Sequence, residues 1–307
     1  MELDKEILKT LAFYDVFEFP LTGFEIHKNL GAKAGFGETH QVLDNLKNNF
    51  LIKEKDGYFF LPQNDYSAKR RTRFLVSFKK LQKAKRVAWV LSYFPFVRFI
   101  GLCNSMGYFN AKENSDIDFF IITRKGHIWT ARFFAVLFLK IFNLRPNLES
   151  NKDKICLSFI ISEDKMDISD VALPGGDPYF HRWFSWIMPL YGEKFWKKFV
   201  VANSWVKNYL PNFLEQSGLI VKNFSLVKMI FEKLFLGPHW ESLFRKIQKH
   251  FLPENLKEAA SLRTDKSVVI NNKMLKFHLV DRRNEYKDKY LQKIEDLDSK
   301  FRILDSE

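Results

Sequence analysis

At 307 residues, with 46% apolar side chains and 33 phenylalanines, the chain has the means for a large packed core, which excludes disordered and fibrous classes. Its 49 lysines and arginines against 36 acids leave a net charge of +13, and its two cysteines, Cys103 and Cys156, are too few for a disulfide framework or a zinc cluster. The opening MELDKEILKT is charged and has no apolar segment, so a cytoplasmic protein of two or three domains is expected.

Residues 1–62 have an organisation of their own. Leu3, Ile7, Leu8 and Leu11 recur at helical spacing, a second helix opens near Thr22, and a third covers about Glu38 to Asn49. LIKEKDGYFFLP then sets Asp56-Gly57 between two short apolar runs, the chemistry of a two-residue hairpin turn. Three helices and a hairpin resemble a winged helix-turn-helix. Such domains often bind DNA through the third helix, yet this segment carries ten acids, seven lysines and no arginine, a net of −3. The third helix offers only His40, Gln41, Asn45 and Lys47, so tight DNA binding is not expected and a protein-contact or packing role is favoured.

The positive charge therefore belongs to the rest of the chain. From Gln63 to Arg98 ten basic residues stand against one acid, Asp65, at spacings that fit a helix connecting residues 63–95. Phe74, Phe78, Leu81 and Val87 to Val90 are expected on its core side, with Lys69, Arg70, Arg71, Arg73, Lys79, Lys80, Lys83, Lys85 and Arg86 facing out. That outer face is either a solvated surface or a ridge for a polyanion such as RNA.

The run FIGLCNSMGYFNAKENSDIDFFIIT, Phe99 to Thr123, holds the chemistry. An apolar segment ends at Gly101, the chain turns through Asn104 and Ser105, and a second apolar strand carries Asp116 and Asp118. Side chains two apart on a strand point the same way, so the two carboxylates share a face while Ile117 and Phe119 turn to the other. Carboxylates placed in a strand that the pattern buries need a cation or donors, and a hard ion such as magnesium, or manganese, suits two oxygen ligands with positions left for phosphate. Lys112, Arg124 and Lys125 lie close by in sequence as further phosphate contacts.

These residues resemble the signature of the nucleotidyltransferase superfamily, the polymerase-beta-like fold, in which a Gly-Ser turn precedes an acid-x-acid strand by about ten residues. The resemblance covers about a quarter of the chain. It maps Ser105 onto the turn serine and Asp116 and Asp118 onto the first two metal ligands, with Gly101, Asn104, Ser105 and Lys112 around the nucleotide phosphates. Asn104 stands where glycine is usual, and asparagine tolerates left-handed backbone better than most residues. The family's third carboxylate, credited with activating the attacking hydroxyl, belongs on a later strand. KICLSFIIS, Lys154 to Ser162, offers Cys156 and Ser158 there, with Asp153 just before it.

Further along, Trp129 to Leu144 reads as a helix behind the sheet, too short and too charged to span a bilayer. The aromatic run from Trp183 to Tyr209 reads as core packing, with base stacking as the minor alternative. Helices follow over Leu226 to Phe235 and His239 to Phe251, split by Gly237-Pro238. In the second, Arg245 and His250 make an R-x4-H pattern that resembles the ribonuclease motif of the HEPN family. Asn271 to Arg283 concentrates Lys276, His278, Asp281, Arg282 and Arg283 near the last strand, where it would close over a nucleotide, and His278 is an acid-base candidate. Tyr286 to Leu304 mixes acids and bases as an exposed terminal helix.

The expectation is an α+β protein: a winged-helix-like domain (1–62), a basic connecting helix (63–95), a mixed-sheet nucleotidyltransferase core (96–175) and a helical C-terminal domain (176–307). The resemblance implies magnesium-dependent transfer of a nucleoside monophosphate from a nucleoside triphosphate to a hydroxyl on RNA, protein or a small molecule. The alternative is a DNA-binding winged-helix regulator whose core senses nucleotide without catalysis.

Overall fold

The computed structural model describes residues 2–147, 150–216, 218, 225–262 and 266–304. In chain order, α1 (Glu2–Asp15), α2 (Gly23–Lys28), α3 (Phe36–Asn48) and the hairpin β1 (Lys53–Lys55) and β2 (Tyr58–Phe60) precede the long α4 (Ser67–Ser92). Next come β3 (Val97–Leu102), the single turn α5 (Asn104–Gly107), β4 (Ile117–Thr123), α6 (Ile128–Ile141) and β5 (Ile155–Ser162). The remainder is α7 (Pro178–Ser185), β6 (Met188–Tyr191), α8 (Glu193–Ala202), α9 (Leu226–Leu234), α10 (Pro238–Phe251), α11 (Glu254–Leu262), β7 (Val268–Ile270), β8 (Met274–Phe277) and α12 (Arg283–Leu304).

The fold is α+β, built on a mixed six-stranded sheet in the order β6-β3-β4-β5-β8-β7. β4 and β5 run parallel, as strands joined by a helical crossover must, and the other pairs are antiparallel. Both sheet faces are covered, so the central strands read as near-continuous apolar runs. Ile117, Phe119 and Ile121 enter the core under α4, α6 and α10, while Phe120 and Ile122 enter the one formed by Phe180, Trp183, Phe184, Trp196 and Phe199. No helix among the described residues is long and apolar enough to cross a membrane.

Three expectations change. The segment from 176 onward is not purely helical, because β6, β7 and β8 supply half of the sheet. Their shortness and Pro189, which is tolerated because β6 is an edge strand, hide them from pattern reading. On α4, Phe74 and Phe78 are 42% and 50% exposed, whereas Arg70, Arg73 and Lys80 are buried. Distant acids draw these cations inward: Arg70 meets Glu25 at 2.8 Å, Arg73 meets Glu18 at 2.5 Å, and Lys80 meets Asp153 at 2.6 Å. Much of the expected basic ridge is therefore structural. Finally, α12 is not simply exposed, since Tyr290 packs edge-on to Phe13 and Lys293 reaches Asp15 at 2.5 Å.

The first 60 residues form the expected three helices and hairpin, with Leu21 bridged to Phe59. Asp56 and Gly57 both adopt positive φ, 55° and 77°, which a tight two-residue turn requires. A capping box between Thr22 and Glu25 starts α2. This unit is not a free bead, because its core takes in Trp186 and Tyr290 from the rest of the chain. On α3, His40, Gln41 and Asn45 face solvent and Lys47 is held by Glu54 and Asp44.

Candidate functional site

Asp116 immediately precedes β4 and Asp118 is its second residue, at the sheet end where β3 leaves into α5. Strand alternation sends Ile117 and Phe119 into one core and leaves both aspartates, half-buried, on the other face. Across the parallel pair, Asp118 stands opposite Cys156 of β5. Ligand atoms of Asp116, Asp118 and Cys156 all lie within 4.8 Å of one another.

The electrostatics of this group are unusual for a protein with net positive charge. Among the described residues, no basic side chain forms an ion pair with either aspartate; Lys80 acts on Asp116 only from a distance. Burial, and then the charge of Asp116, push Asp118 up to about 7, against hydrogen bonds from the Asn104 and Cys156 side chains that pull it down. Burial also raises Asp116. The Cys156 thiol is pushed far up by burial and by the two aspartates, so it donates to the carboxylates as a neutral group. Two oxygen donors that lack positive charge fit a hard divalent cation, with water or phosphate oxygens completing its shell.

Asn104 carries φ of 52°, the left-handed backbone anticipated for the residue in the glycine position. Its side chain also does what glycine cannot. Its Oδ1 accepts from Trp183 Nε1 at 3.0 Å while its amide bonds Asp118. Asn104 and Asp116 open onto a cavity of about 620 Å³, a size typical of small-molecule sites. Tyr179, Phe180, Trp183 and Tyr286 give it aromatic walls, and Lys276, His278, Arg282 and Arg283 give it basic ones.

Most of those basic groups are already engaged. Arg283 donates to Asp177 at 2.8 Å, to the Val171 carbonyl at 2.8 Å, and through Nε and Nη2 to Asp281. Lys276 donates to the Lys266 carbonyl at 2.9 Å. Arg282 is exposed at the rim. His278 lies 3.2 Å from Ser158 Oγ, and burial, then the charge of Lys276, hold it down to about 3, so it stays neutral at physiological pH.

None of the other expected residues lines the cavity. Gly101 lies inside β3, where a Cβ would sit 2.8 Å from Phe99 Cζ, so it serves close packing and does not face the cavity. Ser105 follows Asn104 in the same short turn, its carbonyl accepting from Asn110 N at 2.8 Å. Lys112 is exposed, and its carbonyl receives both Ser115 N and Ser115 Oγ. Arg124 and Lys125 follow the far end of β4, roughly 25 Å from Asp116 by strand rise, too distant to touch the same phosphate. Asp153 is paired with Lys80 at 2.6 Å and is not among the side chains that converge with Asp116 and Asp118. Arg245 reaches Asn272 at 3.4 Å while His250 faces solvent, so that pair does not converge. Sequence reasoning missed Tyr179 and Tyr286 at the site, which only the approach of α12 to α7 brings together. Comparison with known proteins brings no match: no family model, curated protein or solved structure matches the chain.

Proposed function

We propose that the protein is a divalent-metal-dependent nucleotidyltransferase, moving a nucleoside monophosphate from a nucleoside triphosphate to an acceptor hydroxyl. The observation that carries this reading is the adjacent carboxylate pair without a cationic partner, beside a cavity that is both aromatic and basic. Asp116 and Asp118 would hold magnesium, which when bound supplies charge neutralisation on the phosphates and a lower pKa for the incoming hydroxyl. Asn104 fixes Asp118, and Trp183 fixes Asn104. Arg282 at the rim suits a phosphate oxygen, and the tilted Tyr179–Tyr286 pair, 5.4 Å between centroids, offers a surface for a base. Three helices and a hairpin support a winged-helix N-terminus used for packing or protein contact rather than DNA reading, since the one lysine of α3, Lys47, is paired with Asp44 and Glu54.

Titration calorimetry with magnesium and each nucleoside triphosphate, with wild type and Asp118→Asn, tests the site. Saturable, magnesium-dependent heats lost in the variant are expected, with incorporation of labelled nucleotide into an acceptor. No magnesium-dependent nucleotide binding would overturn the reading. A nucleotide-sensing core without transfer is the second reading, favoured by Cys156 and Ser158 standing on β5 where the family's third carboxylate belongs. Binding without incorporation would select it.

A further inference from the structure

We propose that a second cavity, enclosed by α6, β5, α10 and α11, binds an amphiphilic oxyanion: a carboxylate or phosphate ester attached to an apolar body. The space measures about 510 Å³, and among the described residues its lining includes Arg132, Lys140 and Arg145 but no acid. Phe133, Val136, Ile247, Leu252 and Leu256 supply an apolar wall.

Arg132 decides the chemistry. It is 5% exposed, and its guanidinium lies 4.8 Å over the Phe277 ring. Its Nη1 donates to Gln248 Oε1 at 2.7 Å, while Nε is buried without a partner. Gln248 is itself fixed by donating to the Trp129 and Phe244 carbonyls, at 2.7 and 3.1 Å, so among the described residues this cation meets a neutral amide and an aromatic ring but no carboxylate. Burial, and then the nearby Arg145, lower Arg132 to about 9, which leaves it charged at neutral pH.

A buried cation without a counter-charge is costly, and three other buried arginines avoid it. Arg70, Arg73 and Arg283 each meet a carboxylate. Arg182 does not, but its cleft of about 20 Å³ has no room for a ligand. Only beside Arg132 do an unmet buried donor, a second guanidinium and a ligand-sized space coincide among the described residues. The fold makes that space by letting β8 pair with β5 only at Phe159 to Ile161, which leaves the edge from Cys156 to Ser158 as its floor. The oxyanion head belongs on Arg132 and Arg145, and the tail against the aliphatic wall.

This binding needs nothing from the nucleotide reading, and its test is separate. The full-length protein is titrated with octyl phosphate and decanoate, with octanol and inorganic phosphate as half-ligands. Single-site binding of either anion is expected, roughly tenfold tighter than octanol or inorganic phosphate. Phosphate preference over decanoate, or the reverse, names the head group. Arg132→Gln weakens binding about tenfold or more; because that residue is buried, Arg145→Gln at the half-buried rim and Leu256→Trp, which fills the space, are expected to do the same with an unchanged melting curve. Asp118→Asn leaves it intact. Anions binding no better than octanol, inorganic phosphate alone binding as tightly as octyl phosphate, or Arg145→Gln and Leu256→Trp both matching wild type would overturn the proposal.

Discussion

Two pairs of acids flank one cavity and are treated in opposite ways. Asp177 and Asp281 share the buried guanidinium of Arg283, whose hydrogen bonds to Asp281 outweigh burial and hold that carboxyl below its usual range. Asp116 and Asp118 meet only an amide, a thiol and each other, and Asp118 is driven up to about 7. At the first pair the chain itself supplies the counter-charge. Where it does not, the demand for positive charge is left standing and an external ion can meet it.

The contrast can be broken at either pair. Asp118→Asn should lower magnesium-dependent incorporation on the order of 10³-fold, the scale of removing a principal electrostatic stabiliser, with the fold retained; equal activity would remove the site. Arg283→Met should instead cost about 3–5 kcal/mol of stability in denaturant unfolding, because it strands two acids. Lys80→Met is expected to cost about 1–3 kcal/mol. Its ammonium ties the Glu113 and Ser115 carbonyls, at 2.9 and 2.7 Å, just ahead of Asp116.

pH sharpens the same comparison. The folded-state value of Asp118 lies above its unfolded one, so its contribution to metal-free stability is present below about pH 4 and lost as pH rises to about 7. Melting curves in chelator at pH 5 and pH 8 should therefore differ less in Asp118→Asn than in wild type. Protons compete with the metal over the same range, so magnesium affinity should climb to about pH 7 and then level off. The smallest effect concerns Asn104. Asn104→Ala should lose about 1–2 kcal/mol more than Asn104→Gly, because only glycine adopts the left-handed backbone freely. Both variants should raise the pH midpoint of magnesium binding, since both lack the amide on Asp118.

Local chemistry was legible and distant pairing was not. The shared face of Asp116 and Asp118 follows from a period of two, the Asp56-Gly57 turn from backbone permissiveness, and the break before α10 from Gly237-Pro238. By contrast, Arg70, Arg73 and Lys80 look like surface charges until Glu25, Glu18 and Asp153 are brought to them across 45, 55 and 73 residues. Asp153 was a ligand candidate for the same reason: nothing nearby in sequence announces Lys80. β6 and β8 are strands because they meet β3 and β5, and their own four residues carry little of that information.

α12 begins at Arg283 in the cavity wall and continues along α1, where Tyr290 and Lys293 clasp Phe13 and Asp15. One rod thus serves as a wall at one end and a buckle at the other. Fragments cut to separate the amino-terminal unit from the sheet would bare the buckle's aromatic face and unsettle the wall together, so loss of activity in such a truncation would say nothing about which half performs the chemistry.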